Sequence, residues 1–353
     1  MIIKNLVNVS LSIFIATIIL FALPSNVIIA NIAGIVFFGF FFVYKLISRS
    51  YYIYFSPIFI VYLVFTAYSI LSIFWSTETN ISLEQTLLML KLLVIIFIVS
   101  NVIKELKNAH YVTYGIFFAL FINYILYFNI FSVSYDVWLW TRYMGTTGNP
   151  NVLAIISIYS IFLSIYLIVS SIVVKKHYLI LININIILSF FMIIVSASKK
   201  GMIFGLLLIL LYLMYFSSNY KRLLKLSIYI ILSCLIFIFF VDLELIIQQI
   251  TPALNRLTTF IDVINGNATD VSSTDRLKFT TEGFLLASDN PFFGHGIATF
   301  RYYFGLYAHN NYIEIFFGLG IIGIAVFYSI YLYLLKKSIL INNKYIKRFI
   351  FFH

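Results

Sequence analysis

A single cysteine, five prolines and twelve acidic side chains are all that this chain of 353 residues has of those types. Cys234 lies alone inside an apolar run, so an intramolecular disulfide framework is excluded and redox compartment is left open. Charged residues of either sign make up only 10% of the chain, too little polar surface to cover a soluble globule. The loops contain no paired-Asp element of the kind that recruits divalent ions, and His295 and His309 lack the spacing and partners of a zinc site. Neither a metal nor any other cofactor is expected. Internal repeats and a separable soluble domain are also missing.

What is present is apolar length. Hydrophobic residues reach 63% and the mean hydropathy is +1.05, which makes the chain an all-α, polytopic transmembrane helix bundle, one integral membrane domain over residues 1–353. Ten apolar runs are long enough to read as spans, at 6–23, 27–44, 54–74, 84–103, 111–131, 151–174, 178–197, 202–216, 226–241 and 311–335. The first follows Lys4 and lacks a small-residue cleavage site after Leu23, so it reads as a retained span rather than a signal peptide.

The net charge of +11 would suggest nucleic acid in a soluble protein, but here the basic residues sit in short loops between apolar runs. With the amino terminus in the cytoplasm, the inner loops hold Lys4; Lys45 and Arg49; Lys104 and Lys107; Lys175 and Lys176; Lys221, Arg222 and Lys225; and Lys336, Lys337, Lys344, Lys347 and Arg348. These fifteen face only Glu105 on the acidic side. The positive-inside rule sets the orientation from that bias. Arg142, Lys199, Lys200, Arg256, Arg276, Lys278 and Arg301 then lie outside, where that rule gives them no reason to be, and are the candidates for function. Lys91, inside the fourth span, either snorkels outward or faces the protein interior.

The outer loops are 75–85, 132–150 and 198–201, with a large one over 242–308 between the last two spans. Trp75 reads as an interfacial anchor at a helix end. In the second loop Trp138, Trp140 and Arg142 precede Gly145-Thr146-Thr147-Gly148-Asn149-Pro150-Asn151, a tight turn ending at a helix start with Pro150 where a missing N–H costs nothing. The third is a short hairpin, Ser196-Ala197-Ser198-Lys199-Lys200-Gly201, whose lysines belong at the membrane boundary or snorkel there. In the large loop, Leu245 to Ile264 is patterned as an amphipathic surface helix, and Ser272-Ser273-Thr274-Asp275 offers caps ahead of a second helix with Arg276 in its first turn, an anion-binding arrangement.

The most unusual stretch runs from Asp289 to Gly323. Asn290-Pro291-Phe292-Phe293-Gly294-His295-Gly296, then His309-Asn310-Asn311-Tyr312-Ile313-Glu314, then Gly318, Gly320 and Gly323 open the last span. This signature resembles the bacterial O-antigen ligase and polysaccharide polymerase family, and the resemblance extends from the Trp75 loop to Leu335. Lys199 stands where many relatives have arginine, which exchanges a bidentate fork for a point charge. After Lys336 and Lys337 only a basic stretch and Phe349 to His353 remain, where relatives usually continue through one or two more spans, so the carboxyl end reads as truncated.

The resemblance implies a glycosyltransferase of the bacterial plasma (inner) membrane that polymerises undecaprenyl-diphosphate-linked oligosaccharide units at the outer face, in O-antigen, capsule or exopolysaccharide biosynthesis. Its expected partners are that donor, a glycan acceptor, the bilayer, and chain-length regulator and flippase proteins, with no nucleic acid. The leaving group is already activated, so the protein must supply cations for the departing diphosphate and a base for the acceptor hydroxyl, without a metal. Arg276 and His309 are the expected catalytic residues, cation and base. Arg142, Lys199, Arg301, Asn151, Asn310 and Glu314 are expected at the substrate, the last two also orienting His309. A ligase acting on another acceptor and a flippase or other transporter are the alternatives. A transporter would set opposed ionisable residues near the bilayer midplane, where this chain has mainly Lys91, Glu314 and the asparagines Asn123, Asn183 and Asn185.

Overall fold

A computed structural model of the chain describes residues 2–23, 26–50, 52–106, 110–132, 142–169, 176–217, 271–308 and 310–340. Among them every regular element is helical. In chain order these are α1 (Ile2–Leu20), α2 (Val27–Ser48), α3 (Pro57–Leu71, continued by a 3₁₀ turn to Trp75), α4 (Thr79–Leu106), α5 (His110–Ser132), α6 (Pro150–Val169), α7 (Lys176–Val195), α8 (Lys199–Ser217), α9 (Val271–Ala287), the short α10 (Phe300–Phe304) and α11 (Asn311–Ile339). Seven are long and apolar enough to cross a membrane: α1 to α6 and α11. They coincide with seven of the ten expected runs. α7 and α8 carry two more, α7 with a shorter apolar stretch, Leu179–Val195. The run at 226–241 and the amphipathic segment at 245–264 lie outside the described residues.

The chain divides into two compact units, residues 1–50, 108–264 and 343–353 in the first and 51–107 with 265–342 in the second. In the first, α1 packs on α2 and α5, and α6 packs on α5, α7 and α8. Phe14 stacks on Phe37 at 5.5 Å between α1 and α2. Ile161 and Ile165 from α6, Ile186 and Ile193 from α7, and Met202 and Leu208 from α8 form one buried core. Polar groups are buried beside it, among them Asn185, whose amide donates to Ser160 and Ser164 of α6, both at 2.8 Å, and so pins the register of two helices that hydrophobicity alone would let slide.

In the second unit α3 packs on α4 and α11, and α9 packs on α11. Phe65, Met89, Ile297, Ile315 and Leu319 are buried together, and Ala287, Phe300, Ile313 and Phe317 form a neighbouring cluster. Ser56 caps α3 by accepting from Phe59 N–H at 3.1 Å, with Pro57 in the first turn. Two expectations need correction here. α4 starts at Thr79 rather than 84 and runs 28 residues, about 42 Å at 1.5 Å per residue, longer than the ~30 Å hydrocarbon layer. The last span is not one continuous helix, because Gly320 has φ 64° and ψ −166° and breaks α11 after nine residues.

Candidate functional site

In the first unit the loop after α5 is built on Asn123, a fully buried residue of that helix. Its side-chain oxygen accepts from Thr146 N–H at 2.8 Å and its amide donates to Thr146 Oγ1 at 3.1 Å, while its backbone carbonyl accepts from Tyr143 Oη at 2.9 Å. Burial pushes the Tyr143 phenol well above the usual tyrosine range, so it stays a donor. Thr146 Oγ1 in turn donates to Ile19 O of α1 at 3.1 Å, and Tyr143 N–H to Val195 O at the end of α7 at 2.9 Å. An asparagine inside an apolar run was the only signal for this role.

That framework sets Arg142 between two helix starts. Asn149 caps α6, its side chain accepting from Asn151 N–H at 2.9 Å and its carbonyl from Leu153 N–H at 3.1 Å, with Pro150 as the first residue, as the sequence predicts. Ser198 caps α8, its hydroxyl accepting from Gly201 N–H at 3.3 Å. Lys199 and Lys200 are therefore the first two helical residues of α8 rather than a hairpin, Lys199 half-buried and Lys200 exposed. Gly201 lies against Ala154, which brings the two amino termini side by side. Arg142 joins them, its Nη2 donating to Asn151 Oδ1 at 2.8 Å and its Nε to Ser196 O at 3.1 Å. Ala197 in the same turn is buried and left-handed at φ 46°, a strain of order 1–2 kcal/mol that the surrounding bonds must hold.

Of the expected substrate residues, Arg142 and Asn151 thus meet, and Lys199 opens the helix that follows the turn Arg142 holds at Ser196 O. Each helix start adds roughly half a positive charge to those of Arg142 and Lys199. Two helix starts with Arg142 and Lys199 beside them have the chemistry to attract an anion such as a phosphate group.

In the second unit the glycine-rich signature has a structural logic the sequence did not reveal. Where Gly320 breaks α11, the carbonyls of Phe317 and Gly318 accept from the N–H groups of His295 and Gly296, both at 2.8 Å, and Ile321 N–H donates to Pro291 O at 2.9 Å. The Pro291–Gly296 loop replaces the helix's own lost bonds. A side chain at Gly320 would run into the Phe292 backbone, and one at Gly294, where φ is 69°, into Gly318. The α3–α4 turn closes over the loop: Trp75 Nε1 donates to Phe293 O at 3.2 Å, Thr77 N–H to His295 O at 3.0 Å, and Ser82 Oγ to Ile297 O at 2.8 Å. Trp75 therefore holds protein.

Asn310 caps α11, its side chain accepting from Tyr312 N–H at 3.0 Å and its carbonyl from Glu314 N–H at 2.9 Å. The Glu314 carboxylate reaches back to accept from Ala308 N–H at 2.7 Å. The residues on either side of position 309 are thereby fixed, while His309 itself lies outside the described residues. Arg301 is exposed and pairs with Glu84 at 3.2 Å, a contact worth about 0–1 kcal/mol at a wet surface. Arg276 is in α9, whose helix includes Ser272 to Asp275, so those residues form its first turn rather than caps ahead of it and Arg276 falls in the second.

No curated protein and no solved structure matches this chain. A family match covers residues 184–328, from the middle of α7 through the Ser196–Lys199 turn, α9 and the glycine-rich loop into α11. It is narrower than the extent from Trp75 to Leu335 expected from the resemblance, and leaves the Arg142 loop outside. The model matched is that of the O-antigen ligase family, and over this stretch the chain is similar to that family, in a protein with seven helices long and apolar enough to cross a membrane among its described residues.

Proposed function

We propose that this protein transfers a glycan from a lipid diphosphate, of the undecaprenyl type, to an acceptor hydroxyl at the outer face of the bacterial plasma membrane, and that the product is a longer polysaccharide. The observation that carries this reading is Arg142, held by Asn151 and Ser196 O at two adjacent helix starts beside Lys199. In the reaction the acceptor oxygen attacks the anomeric carbon, the bond from that carbon to the diphosphate oxygen breaks, and the diphosphate leaves with the electron pair. Arg142, Lys199 and Arg276 stabilise the charge that grows on it. His309 takes the acceptor's proton, and Asn310 and Glu314 hold the chain on either side of it. Arg301 serves the substrate side through its exposed guanidinium, which exchanges Glu84 for phosphate at little cost.

The buried asparagines argue against the transporter reading. Asn123 and Asn185 are spent on the Thr146 loop and on the α6 serines. The decisive experiment is transfer in proteoliposomes from a synthetic undecaprenyl-diphosphate donor with EDTA present. Arg142→Ala is expected to lower the rate by about 100- to 1,000-fold at normal protein level, the cost of losing one donor to a developing oxyanion. Full activity of both Arg142→Ala and Lys199→Ala would refute the anion site, and activity lost to EDTA but restored by a divalent ion would refute the metal-independent route. Products of increasing length from donor alone indicate a polymerase, and a requirement for a different acceptor indicates a ligase.

A further inference from the structure

His295 stands between two glycines of the 291–296 loop and has no part in the chemistry assigned above. Its ring Nε2 lies 2.9 Å from Leu286 O, in the last turn of α9, and a carbonyl there can only accept, so Nε2 carries the proton and donates. The ring packs on Phe317 at 4.7 Å and on Tyr303 at 5.9 Å. Its backbone N–H donates to Phe317 O in the outer half of α11, and its carbonyl accepts from Thr77 N–H. One residue therefore touches the helix that carries Arg276, the half-helix that begins at Asn310 and Glu314, and the α3–α4 turn.

The contact with Leu286 is the unusual one. Carbonyls in the last turn of a helix lack an intrahelical partner and carry the negative end of the helix dipole, so a donor placed there both satisfies and fixes the helix end. Asp289 N–H reaches the same carbonyl at 3.2 Å, within the turn itself. Among the described residues His295 ties it across space to the loop that bridges the break in α11. Apart from that bond α9 is held to α11 by apolar side chains, Phe284 on Phe316 and Ala287 beside Phe317, and by the 288–290 turn that leads to Pro291, whose carbonyl accepts from Ile321 N–H at 2.9 Å.

We infer that His295 is a positioning residue: its Nε2–H bond to Leu286 O fixes α9, and with it Arg276, in register with the outer half of α11. The inference rests on the glycosyl-transfer reading for its effect on rate, but the latch itself is a property of the second unit and is measurable without substrate.

The test uses the full chain with Cys234→Ser and spin labels on cysteines at the exposed positions Leu285 of α9 and Tyr312 of the outer half of α11. His295→Phe keeps an aromatic ring on Phe317 and loses the donor. His295→Gln places an amide N–H where Nε2 stood. His295→Phe is expected to broaden the label-to-label distance distribution and to lower kcat about 10- to 100-fold with KM unchanged, the scale of a small misplacement of a charged group. His295→Gln is expected to restore both. If His295→Phe does not accumulate in membranes, His295→Asn is measured in its place, because its shorter amide cannot reach Leu286. A distribution as narrow as wild type, a wild-type kcat, or a loss that appears only in KM overturns the proposal. If unsubstituted protein transfers no glycan, the transfer reading fails and the distance distributions alone decide the latch, broadening in His295→Phe with recovery in His295→Gln upholding it and no change overturning it.

Discussion

Arginine at position 142 and lysine at 199 differ although both are basic, the first reaching two helix ends from a loop and the second opening a helix. Arg142 uses its planar head to join Asn151 and Ser196 O, so its charge comes with fixed geometry. Lys199 supplies a point charge in the first turn of α8. Lys199→Arg should therefore be tolerated, while Arg142→Lys should lose most of what Arg142→Ala loses, because one ammonium cannot hold both partners in the same directions. Steady-state rates of the two variants in the proteoliposome assay check this. His309 is a separate matter. A general base contributes about 100- to 10,000-fold, and His309→Gln keeps hydrogen-bonding capacity without a proton acceptor of suitable basicity. Its rate should fall by that factor at an unchanged protein level, and a rate near wild type would remove the base assignment.

Among the elements, the broken helix α11 is where local sequence and tertiary structure conflict most. Residues 311–335 read as one apolar span, and no proline interrupts them. Three glycines in six residues were legible as part of a signature, yet not as a break, since an isolated glycine inside a helix costs only about 1 kcal/mol relative to alanine. The break is stable because the 291–296 loop returns the lost hydrogen bonds from a segment some 25 residues away, a long-range pairing that periodicity cannot encode. Gly320→Ala should accordingly cost about 2–4 kcal/mol, combining a backbone state open to little but glycine with a contact on the Phe292 backbone. Gly39→Ala in α2, where an added methyl meets nothing within 4 Å, should be neutral or mildly stabilising. Thermal unfolding of both variants in detergent, followed by intrinsic fluorescence, separates them; equal midpoints would mean that the break can be relieved at no cost.

For the whole molecule the orientation proposed from fifteen inner basic residues against Glu105 is open to direct measurement. In a Cys234→Ser background an impermeant thiol reagent should label a cysteine at the exposed Met144 in intact cells and leave one at Asn219 unlabelled, and the reverse pattern would invert every assignment of inner and outer loops. Composition and run length by themselves determined that the chain is a helical membrane protein, because water-exposed surface must be polar and each span must satisfy its own backbone. Local chemistry likewise determined the α6 start, since Asn149 and Pro150 act on neighbouring backbone and need no distant partner. The meeting of Arg142 with Asn151 and the Ser196 turn, the shift of Lys199 into a helix, the pairing of Arg301 with Glu84 and the bonds of His295 were decided only by tertiary structure. Each depends on which helix ends lie side by side, and in a bundle of uniformly apolar faces that choice rests on a few buried polar groups such as Asn123 and Asn185, whose partners are far away in sequence.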